Sequence, residues 1–556
     1  MNTPTSDSMS DMLPLDQHLP VPYATVPQMF AATVAKRPSA TLIDCFGRTW
    51  TCADAEAEAE RLARVFAAHG IAAGDRVALF AQNDPIFITG LLAAWKLGAI
   101  AVPVNPMNTA RELGYQLEDS GAKALITLPG LWSLVAREVV TAGIGAVELV
   151  IVAGHDEWRM TGDRPEQSRA EVTDELLKPA GQAVVCSADD LPAGSDYEPA
   201  ELTGDDVALL TYTSGTTGKP KGAMNTHGNL TFNAETYVQI SALEPGEAIL
   251  AVAPLFHITG MVGHVMLGLR LGTPIVITHR FHPSVMLEAI RRTRPAFTVG
   301  AITALMALAD SPEARAEDFT SLRTIYSGGA PIAPSLGDRL EGIYGAYVHN
   351  IFGMSETASP THLVPRGQRA PVDPTSGALS IGKPVYDTRA RIVDENLADL
   401  PPGEYGEIVI TGPQITPGYW NKPEATEGAF VDGWLKTGDI GFIDDEGWFY
   451  LVDRKKDMIN ASGYKVWPRE VEDVLYTHPA VAEAAVIGVT DEYRGETVKA
   501  FVTLQSGQQV EPAELVAFCK ANMAAYKYPR ELEILDEMPK TATGKIRVNT
   551  HFVCTG

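Results

Sequence analysis

The amino-acid sequence predicts an α/β protein that mixes α/β and α+β regions. Short apolar runs alternate with segments of helical spacing from Met29 to about Pro179, which is typical of layered, largely parallel sheets. Three later apolar runs end in glycine-rich turns, where ligands bind in such folds. A chain of 556 residues is also too long for one ordinary core. We therefore expect a large multilayered N-terminal domain with parallel sheets and a small β-subdomain, followed by a small mobile α+β domain.

The first part of the chain gives the clearest alternation of elements. Apolar residues recur at helical spacing in Ala55–His69, and the apolar run Arg76–Phe80 that follows predicts a buried strand. The same pair of patterns returns in Ile86–Leu97 and Ala99–Val104. These repeats of helix and strand favour parallel pairing, because parallel neighbours need a crossover between them.

Other segments depart from this alternation. Residues 1–25 are polar and predict a loose lead-in, and residues 153–205 are polar and acidic and predict a surface excursion. From Ala390 to Thr411 the pattern predicts a β-hairpin, with a Pro-Pro-Gly turn. Near the C-terminus, Val471–His478 and Pro512–Asn522 have helical spacing, and the segments around them predict strands of an α+β domain.

Composition and charge restrict the classes of partner. With 44 basic and 69 acidic residues the net charge is −25, which argues against nucleic acid and anionic membranes as general partners. The five cysteines are scattered and form no CxxC pair, so neither a disulfide framework nor a zinc site is expected. No apolar signal segment or integral membrane segment is apparent, and we expect a cytoplasmic location. The sequence leaves open whether the protein forms a homodimer.

The stretch Thr213–Gly222 is the strongest local signal of a binding site. It follows the apolar run Val207–Leu210 and precedes a helical pattern that Thr226 can cap. It contains four hydroxyl side chains, three glycines and two lysines, groups that suit a polyanion. The spacing excludes a Walker P-loop, because only two residues separate its first two glycines and Pro220 follows Lys219. The alternative is a flexible surface loop.

The string TYTSGTTGKPKGAM, from Thr211 to Met224, resembles the signature loop of the adenylate-forming superfamily, which includes acyl-CoA synthetases, adenylation domains and luciferases. Further motifs follow in the family's order, from residue 30 to 547. The resemblance implies an acyl-CoA synthetase that converts a carboxylic acid to an acyl adenylate and then to a coenzyme A thioester. It implies Mg²⁺ as cofactor, ATP and coenzyme A as cosubstrates, and a medium- or long-chain fatty acid or an aryl acid as substrate.

The resemblance also assigns an ATP site with a metal. It implies Glu356 and Thr213 as ligands of Mg²⁺, and Lys545, Glu356, Thr217 and His257 as catalytic residues. The implied ATP-binding residues are Thr213, Ser214, Gly215, Thr216, Thr217, Gly218, Lys219, Lys221, Gly329, Ala330, Pro331, Phe352, Gly353, Met354, Ser355, Asp439 and Arg454.

The acyl and coenzyme A sites and the division into domains follow from the same resemblance. It implies a large ATP- and acyl-binding domain over residues 1–455 and a small domain over residues 456–556 that rotates about Lys456 between half-reactions. The implied coenzyme A-binding residues are Ser462, Gly463, Tyr464 and Lys465. The implied acyl pocket comprises Phe256, His257, Thr259, Gly260, Gly300, Gly328 and Gly329.

Several of these residues also have ordinary structural explanations. His257 among apolar residues can be a satisfied core histidine, Glu356 can cap a helix, and Asp439 can belong to an exposed turn. The acyl acceptor can be a carrier-protein thiol instead of coenzyme A. The chain can also be a non-catalytic acyl- or nucleotide-binding homologue, although the retention of Thr217 and Lys545 argues against it.

Overall fold

The fold is taken from a computed structural model. It describes residues 12–161, 164–192, 194–213, 219–330, 332–374, 377–454, 458–461, 464–491, 495–505, 507–524, 526–540 and 546. None of the helices within these ranges is both long and apolar enough to cross a membrane. The four cysteines within them form no disulfide bond.

Strands occur along the whole described chain. In order they are β1 (Thr41–Cys45), β2 (Arg48–Thr51), β3 (Arg76–Phe80), β4 (Ile100–Val104), β5 (Ala124–Thr127), β6 (Leu149–Val152), β7 (His155–Thr161), β8 (Arg164–Ala170), β9 (Val184–Ser187), β10 (Val207–Thr213), β11 (Lys221–Thr226), β12 (Ile249–Leu250), β13 (Ile275–Ile277), β14 (Phe297–Gly300), β15 (Thr324–Gly328), β16 (Val348–Met354), β17 (Ser359–Leu363), β18 (Lys383–Pro384), β19 (Arg389–Val393), β20 (Gly406–Thr411), β21 (Phe430–Val431), β22 (Trp434–Ile443), β23 (Phe449–Arg454), β24 (Ile459–Ala461), β25 (Tyr464–Val466), β26 (Val481–Asp491), β27 (Gly495–Leu504) and β28 (Glu531–Ile534).

Helices lie between these strands, and several begin at a capping residue. Thr51, Thr109 and Thr226 each accept a hydrogen bond from the backbone N–H three residues later, as N-caps do. The α-helices are α1 (Val26–Lys36), α2 (Cys52–Ala68), α3 (Pro85–Lys96), α4 (Ala110–Ser120), α5 (Pro129–Leu131), α6 (Arg137–Thr141), α7 (His227–Ser241), α8 (Ile258–Gly260), α9 (Leu267–Leu271), α10 (Pro283–Thr293), α11 (Ile302–Ala309), α12 (Pro334–Tyr344), α13 (Pro423–Ala429), α14 (Pro468–Tyr476) and α15 (Pro512–Asn522). π-Helical turns Trp132–Ala136 and Met261–Met266 join α5 to α6 and α8 to α9.

Two large sheets form the N-terminal part. One has nine strands in the order β18-β17-β16-β15-β14-β12-β13-β1-β2, and its neighbours from β16 to β1 are parallel. The other has seven strands in the order β11-β10-β4-β3-β5-β6-β9, and all its pairs except β10–β11 are parallel. The predicted parallel sheets are confirmed.

The main core joins these two sheets. It contains side chains from α1, α3 and α7 together with strands of both sheets, such as Phe30, Trp95, Tyr237 and Phe297, all of them buried. The indole N–H of Trp95 donates to the Ala208 carbonyl oxygen at 2.8 Å, so the one polar atom of this side chain is satisfied. This contact fixes β10, the strand that leads to the glycine-rich loop, against the core.

Two smaller sheets complete the fold. Strands β19, β20, β22, β21 and β23 form an antiparallel sheet, and its β19–β20 hairpin matches the one predicted between Ala390 and Thr411. Strands β24 to β28 form the C-terminal sheet with α14 and α15, around a separate core that includes Val471, Val486 and Leu515. The predicted α/β class, with a small β-subdomain and a small α+β domain, is confirmed.

Two sequence-based predictions of loose segments are wrong in part. Within the lead-in, residues 12–25 pack on the main core: Leu19 is buried, and its backbone N–H and the His18 ring both hydrogen-bond the Asp387 carboxylate. Within the predicted excursion, β9 is an edge strand of the seven-stranded sheet, paired in register with β6. Leucines spaced among polar residues, and a four-residue strand, were too sparse to stand out as apolar patterns.

Candidate active site

The carboxyl ends of four parallel strands place the predicted motifs along one edge of the nine-stranded sheet. Strands β12, β14, β15 and β16 are adjacent and parallel, so the turns that follow them lie side by side. The ends of these strands and the turns after them carry His257, Gly300, Gly329 and Glu356 respectively. Segments far apart in sequence therefore meet at one edge of the sheet.

The strands on either side of the glycine-rich loop, β10 and β11, pair as an antiparallel hairpin. Thr213, at the end of β10, pairs in register with Lys221 at the start of β11. Both are half-buried, whereas Lys219 is exposed with its Nζ 5.6 Å from the centroid of the Tyr115 ring. After β11 the chain enters α7, which Thr226 caps as predicted. The loop residues Ser214, Gly215, Thr216, Thr217 and Gly218 lie outside the described residues.

The hairpin and the Glu356 motif are joined through Tyr419. The Tyr419 hydroxyl donates to Oε1 of Glu356 at 2.7 Å, and the Lys221 ammonium lies 4.5 Å from the centroid of the Tyr419 ring. A second connection runs from a side chain to the backbone, because the Asn225 side-chain amide donates to the Ser355 carbonyl oxygen at 2.8 Å. Two predicted motifs, separated by more than a hundred residues, thus share one intervening side chain.

The surroundings of Glu356 suit a divalent cation bound with phosphates. Its side chain is buried, at 6% exposure, and no lysine or arginine of the described chain forms an ion pair with it. Burial and the neighbouring carboxylate raise the pKa of Tyr419, which therefore keeps its proton and serves as donor. A buried carboxylate without a cationic partner is costly, and Mg²⁺ commonly takes one or two carboxylates together with nucleotide phosphates. The other predicted ligand of Mg²⁺, Thr213, lies at the end of β10, the strand paired with β11.

The predicted ATP-binding residues at the ends of β15 and β16 are closely packed. Phe352 is half-buried, and its ring lies edge-on to His362 with centroids 5.7 Å apart. A Cβ at Gly353 would lie 2.6 Å from the Ser359 carbonyl oxygen, and Gly329 has φ +81°, so both positions require glycine. Ala330 is half-buried, Met354 ends β16 and Ser355 begins a 3₁₀ turn. Pro331 lies outside the described residues.

The predicted acyl-pocket residues also have packing roles. His257 caps α8, with Nδ1 accepting from the Thr259 N–H at 3.4 Å, and Phe256 is half-buried beside it. A Cβ at Gly260 would lie 2.2 Å from the Pro254 carbonyl oxygen, and one at Gly300 would lie 2.6 Å from Val252. One at Gly328 would lie 2.5 Å from the Ile351 carbonyl oxygen. Close packing alone explains these glycines, so the acyl pocket stays a prediction.

Two further predicted ATP-binding residues, Asp439 and Arg454, lie on neighbouring strands. Asp439 in β22 and Arg454 in β23 are register partners, and Asp439 is half-buried with its N–H donating to the Thr437 hydroxyl at 3.1 Å. The sheet they belong to contacts β17 of the nine-stranded sheet, because the ring of Phe449, at the start of β23, lies 4.6 Å, centroid to centroid, from the ring of His362 in β17. The contact of Asp439 with a nucleotide stays a prediction.

Comparisons with known proteins agree with this geometry. The AMP-binding enzyme family matches residues 30–420, and the AMP-binding enzyme C-terminal domain matches residues 470–545. The chain belongs to the AMP-binding enzyme family. The predicted superfamily is thereby confirmed, and so is the prediction of an AMP-forming acid–thiol ligase.

Among curated AMP-binding enzymes, a long-chain-fatty-acid–CoA ligase of Bacillus subtilis is 35% identical over 543 residues, covering 96% of this chain and 95% of the relative. A feruloyl-CoA synthase of Amycolatopsis is 36% identical over 510 residues, covering 92% and 94%. Among solved structures, the anthranilate CoA ligase AuaEII with anthranoyl-AMP has TM-score 0.81 at 28% identity, covering 95% and 96%. ATP-bound MatB from Rhodopseudomonas palustris has TM-score 0.79 at 27% identity, covering 94% and 97%.

The C-terminal site predictions fall largely on residues that the structure leaves undescribed. Lys456, Ser462, Gly463 and Lys545 lie outside the described ranges, and Tyr464 and Lys465 lie in β25. Five residues before Lys545, the Lys540 ammonium lies 2.8 Å from the Glu483 carboxylate on β26.

Sequence reasoning missed the residues that hold the hairpin in place. Besides Tyr419, these are Tyr115 and Asp119 on α4 and Lys422, which lies just before α13. A signal was available for two of them, because Tyr419 and Lys422 belong to the string GYWNKPE, in which an aromatic pair precedes a proline suited to the first turn of a helix. Nothing local marks Tyr115 or Asp119, since both follow the ordinary pattern of an amphipathic helix.

Proposed function

We propose that this AMP-forming acid–thiol ligase activates a hydrophobic carboxylic acid and transfers it to coenzyme A. In the first step a carboxylate oxygen attacks the α-phosphorus of ATP, and the bond to pyrophosphate breaks. In the second step the thiol of coenzyme A attacks the acyl carbon and AMP leaves. The convergence of Lys221, Tyr419 and Glu356 carries the proposal, because it brings a cation and a buried carboxylate together beside the loop suited to phosphates.

Electrostatics favours the first step at this hairpin. The chain carries a net charge of −25, so ATP is repelled by the protein as a whole. Lys219 and Lys221 flank the loop and offset that repulsion locally, and the loop hydroxyls would donate to phosphate oxygens. Attack at phosphorus requires positioning and stabilisation of charge more than a nucleophilic side chain, which agrees with the polar residues gathered at this edge.

Glu356 and Thr213 would hold Mg²⁺ at this site. The ion, when bound, offsets the charge that develops on the phosphate oxygens. The chain's own contribution is to hold the Glu356 carboxylate in one orientation, through the Tyr419 hydroxyl at 2.7 Å.

The small domain would supply the remaining groups. We propose that residues 456–556 rotate about Lys456, so that Lys545 first lies between the carboxylate and the α-phosphate and then makes way for coenzyme A. An ammonium between two anionic reactants lowers their repulsion in the transition state. The segment 462–465 would line the path of the thiol. The separate core of the C-terminal sheet supports this division, because a domain with its own core can move as a unit.

The substrate class is proposed from the curated relatives and from the segment Phe256–Gly260. Relatives act on long-chain fatty acids and on the aryl acid of feruloyl-CoA. The turn Phe256–Gly260 combines an aromatic and a histidine beside the sheet edge. We therefore propose a fatty or aryl acid, with Phe256 and His257 beside its carboxylate end.

A panel of acids tests this proposal. Purified protein would be incubated with ATP, Mg²⁺, coenzyme A and each of several fatty, aryl and short dicarboxylic acids, and acyl-CoA, AMP and pyrophosphate would be measured together. Equal amounts of the three products with at least one fatty or aryl acid are expected. The acid and coenzyme A are each omitted as controls. Pyrophosphate release with every acid but no acyl-CoA would favour a carrier-protein acceptor, and absence of pyrophosphate with all acids would overturn the proposal.

A further inference from the structure

Helix α4 lies against the base of the glycine-rich hairpin and holds both of its ends. Tyr115 and Asp119 are four residues apart and therefore on one face of this helix. The Tyr115 hydroxyl donates to the Pro220 carbonyl oxygen at 2.8 Å, after the loop. Oδ2 of Asp119 accepts from the Tyr212 hydroxyl at 2.8 Å, before the loop. One helix face thus fixes the positions on both sides of residues 213–219.

Asp119 connects the same base to a third segment. Its Oδ1 lies 2.6 Å from the Lys422 ammonium, and its side chain is only 8% exposed. Lys422 follows Tyr419, whose hydroxyl contacts Glu356. The backbone of this segment also pairs with the hairpin, because the Trp420 N–H donates to the Gly222 carbonyl oxygen at 2.8 Å. The carboxylate of Asp119 is therefore a shared anchor of the hairpin and of the segment that orients Glu356.

Tyr212 and Lys422 both keep the protons that they donate to Asp119. Burial, followed by the contact with Asp119, raises the pKa of Tyr212, so its hydroxyl remains a donor at physiological pH. The hydrogen bond that the Lys422 ammonium donates to Asp119 raises the pKa of Lys422, which stays charged. Hydrogen bonds to charged groups are among the stronger ones in proteins, and a buried one holds its partners in a narrow range of positions.

We propose that Tyr115 and Asp119 are positioning residues for the triphosphate of ATP, acting through the hairpin whose ends they hold. This inference rests on the proposed function, because it requires that the hairpin bind ATP. It predicts that ATP binding depends on these two residues far more than acid binding does. They touch neither reactant, so their effect would reach ATP through Thr213, Lys219 and Lys221.

Two substitutions test it. In Asp119→Asn the carboxylate becomes a neutral amide, and we expect KM for ATP to rise by about 10- to 150-fold, the range for a lost hydrogen bond to a charged group. In Tyr115→Phe one neutral hydrogen bond is lost, and a rise of about fivefold is expected. KM for the acid should change by less than about twofold in both. Dissociation constants for a non-hydrolysable ATP analogue, from calorimetry, should move with KM for ATP.

Asp318→Asn is the matched control. Asp318 is also buried, at 4% side-chain exposure, and it pairs with Arg291 at 2.8 Å between α10 and the turn before β15. Its substitution should lower the melting temperature without a selective change in KM for ATP. If Asp119→Asn and Asp318→Asn instead change both KM values alike, the inference is overturned. Should Asp119→Asn fail to fold, Tyr115→Phe decides alone, and an unchanged KM for ATP overturns it. Absence of analogue binding by the unsubstituted protein would refute the proposed function instead.

Discussion

The contacts within the large N-terminal part differ in kind from those within the small C-terminal domain. In the N-terminal part, three segments distant in sequence meet through side-chain hydrogen bonds of 2.6–2.8 Å: Asp119 with Lys422, Tyr212 with Asp119 and Tyr419 with Glu356. In the C-terminal domain the contacts are mostly between neighbours in sequence, such as the β26–β27 hairpin, around a compact apolar core.

The difference indicates how the two halves of the predicted site are specialised. The predicted ATP-binding residues around the hairpin and Glu356 lie on segments of the main fold, so we expect substitutions there to alter binding of the nucleotide. Lys545 is predicted to act from a domain with a separate core, so its removal should alter rate while leaving nucleotide affinity and folding nearly unchanged. The substitutions below test this distinction.

The largest effect is expected for Lys545→Ala. Adenylation should slow about 1000-fold, the cost of losing one charge-stabilising group in a transition state. KM for ATP and the melting temperature should change little. The measurement is pyrophosphate release, with thioester formation from a supplied acyl adenylate measured in parallel, which should persist.

Lys540→Ala is the matched control for that prediction. Lys540 lies five residues earlier and pairs with Glu483 instead of a reactant. Because the pair is partly exposed, its loss should leave the adenylation rate within about twofold. Equal rates for the two variants would contradict the distinction between binding and catalytic halves.

Glu356→Gln should reduce adenylation about 100-fold and raise the Mg²⁺ concentration needed for half-maximal rate. The amide keeps the shape and can still accept from Tyr419, so the loss reports the missing charge. Titration of Mg²⁺ at saturating ATP measures it. Glu235→Gln is a suitable control, because Glu235 is also buried but pairs with Arg270. An unchanged Mg²⁺ dependence in Glu356→Gln would remove Glu356 from the metal site.

The sequence predicted local features of the fold well, and contacts across long separations poorly. The alternation of strands and helices was predicted correctly because short apolar runs mark buried strands such as β3 and β4 and helical spacing marks the helices between them. The motifs of the hairpin and of Glu356 were found because a recognisable string marks each. By contrast, Asp119 and Lys422 are 303 residues apart, and nothing in either local pattern indicates the other. Leu19 was missed because a single leucine in a polar stretch has no period.

Tyr419→Phe should reduce adenylation about tenfold, because a hydrogen bond that orients the Glu356 carboxylate is lost while its charge remains. The expected signature is a higher requirement for Mg²⁺ with little change in KM for the acid. Tyr386→Phe provides the comparison, since the Tyr386 hydroxyl is also buried and donates to the Leu13 carbonyl oxygen at 2.9 Å. If both variants lose stability alike and neither changes the Mg²⁺ dependence, Tyr419 has a purely structural role.

The smallest effect concerns acid stability, which should differ between the two parts. Burial lowers the pKa of His227 and His349 to about 4 and of His264 and His362 to about 3, and all four lie in the N-terminal part. An unfolded histidine titrates near 6.5, so the unfolded chain binds more protons below that pH and the N-terminal part loses stability as pH falls from 6.5 towards 4. In the C-terminal domain burial raises the pKa of Asp473, which has the opposite sign, because protonation at low pH removes the cost of its buried charge.

Hydrogen exchange at pH 7 and pH 5.5 measures this difference, since it reports the opening of each part separately. We expect protection to fall more in the core strands of the N-terminal part than in β26 and β27. His227→Gln should reduce the loss in the N-terminal part by about 1 kcal/mol at pH 5.5, since each unit of pKa difference corresponds to about 1.4 kcal/mol. Equal losses in both parts, unchanged by His227→Gln, would mean that buried histidines do not set the acid limit. A loss confined to the N-terminal part would mean that the ATP-binding framework opens first, while the domain that carries Lys545 remains folded.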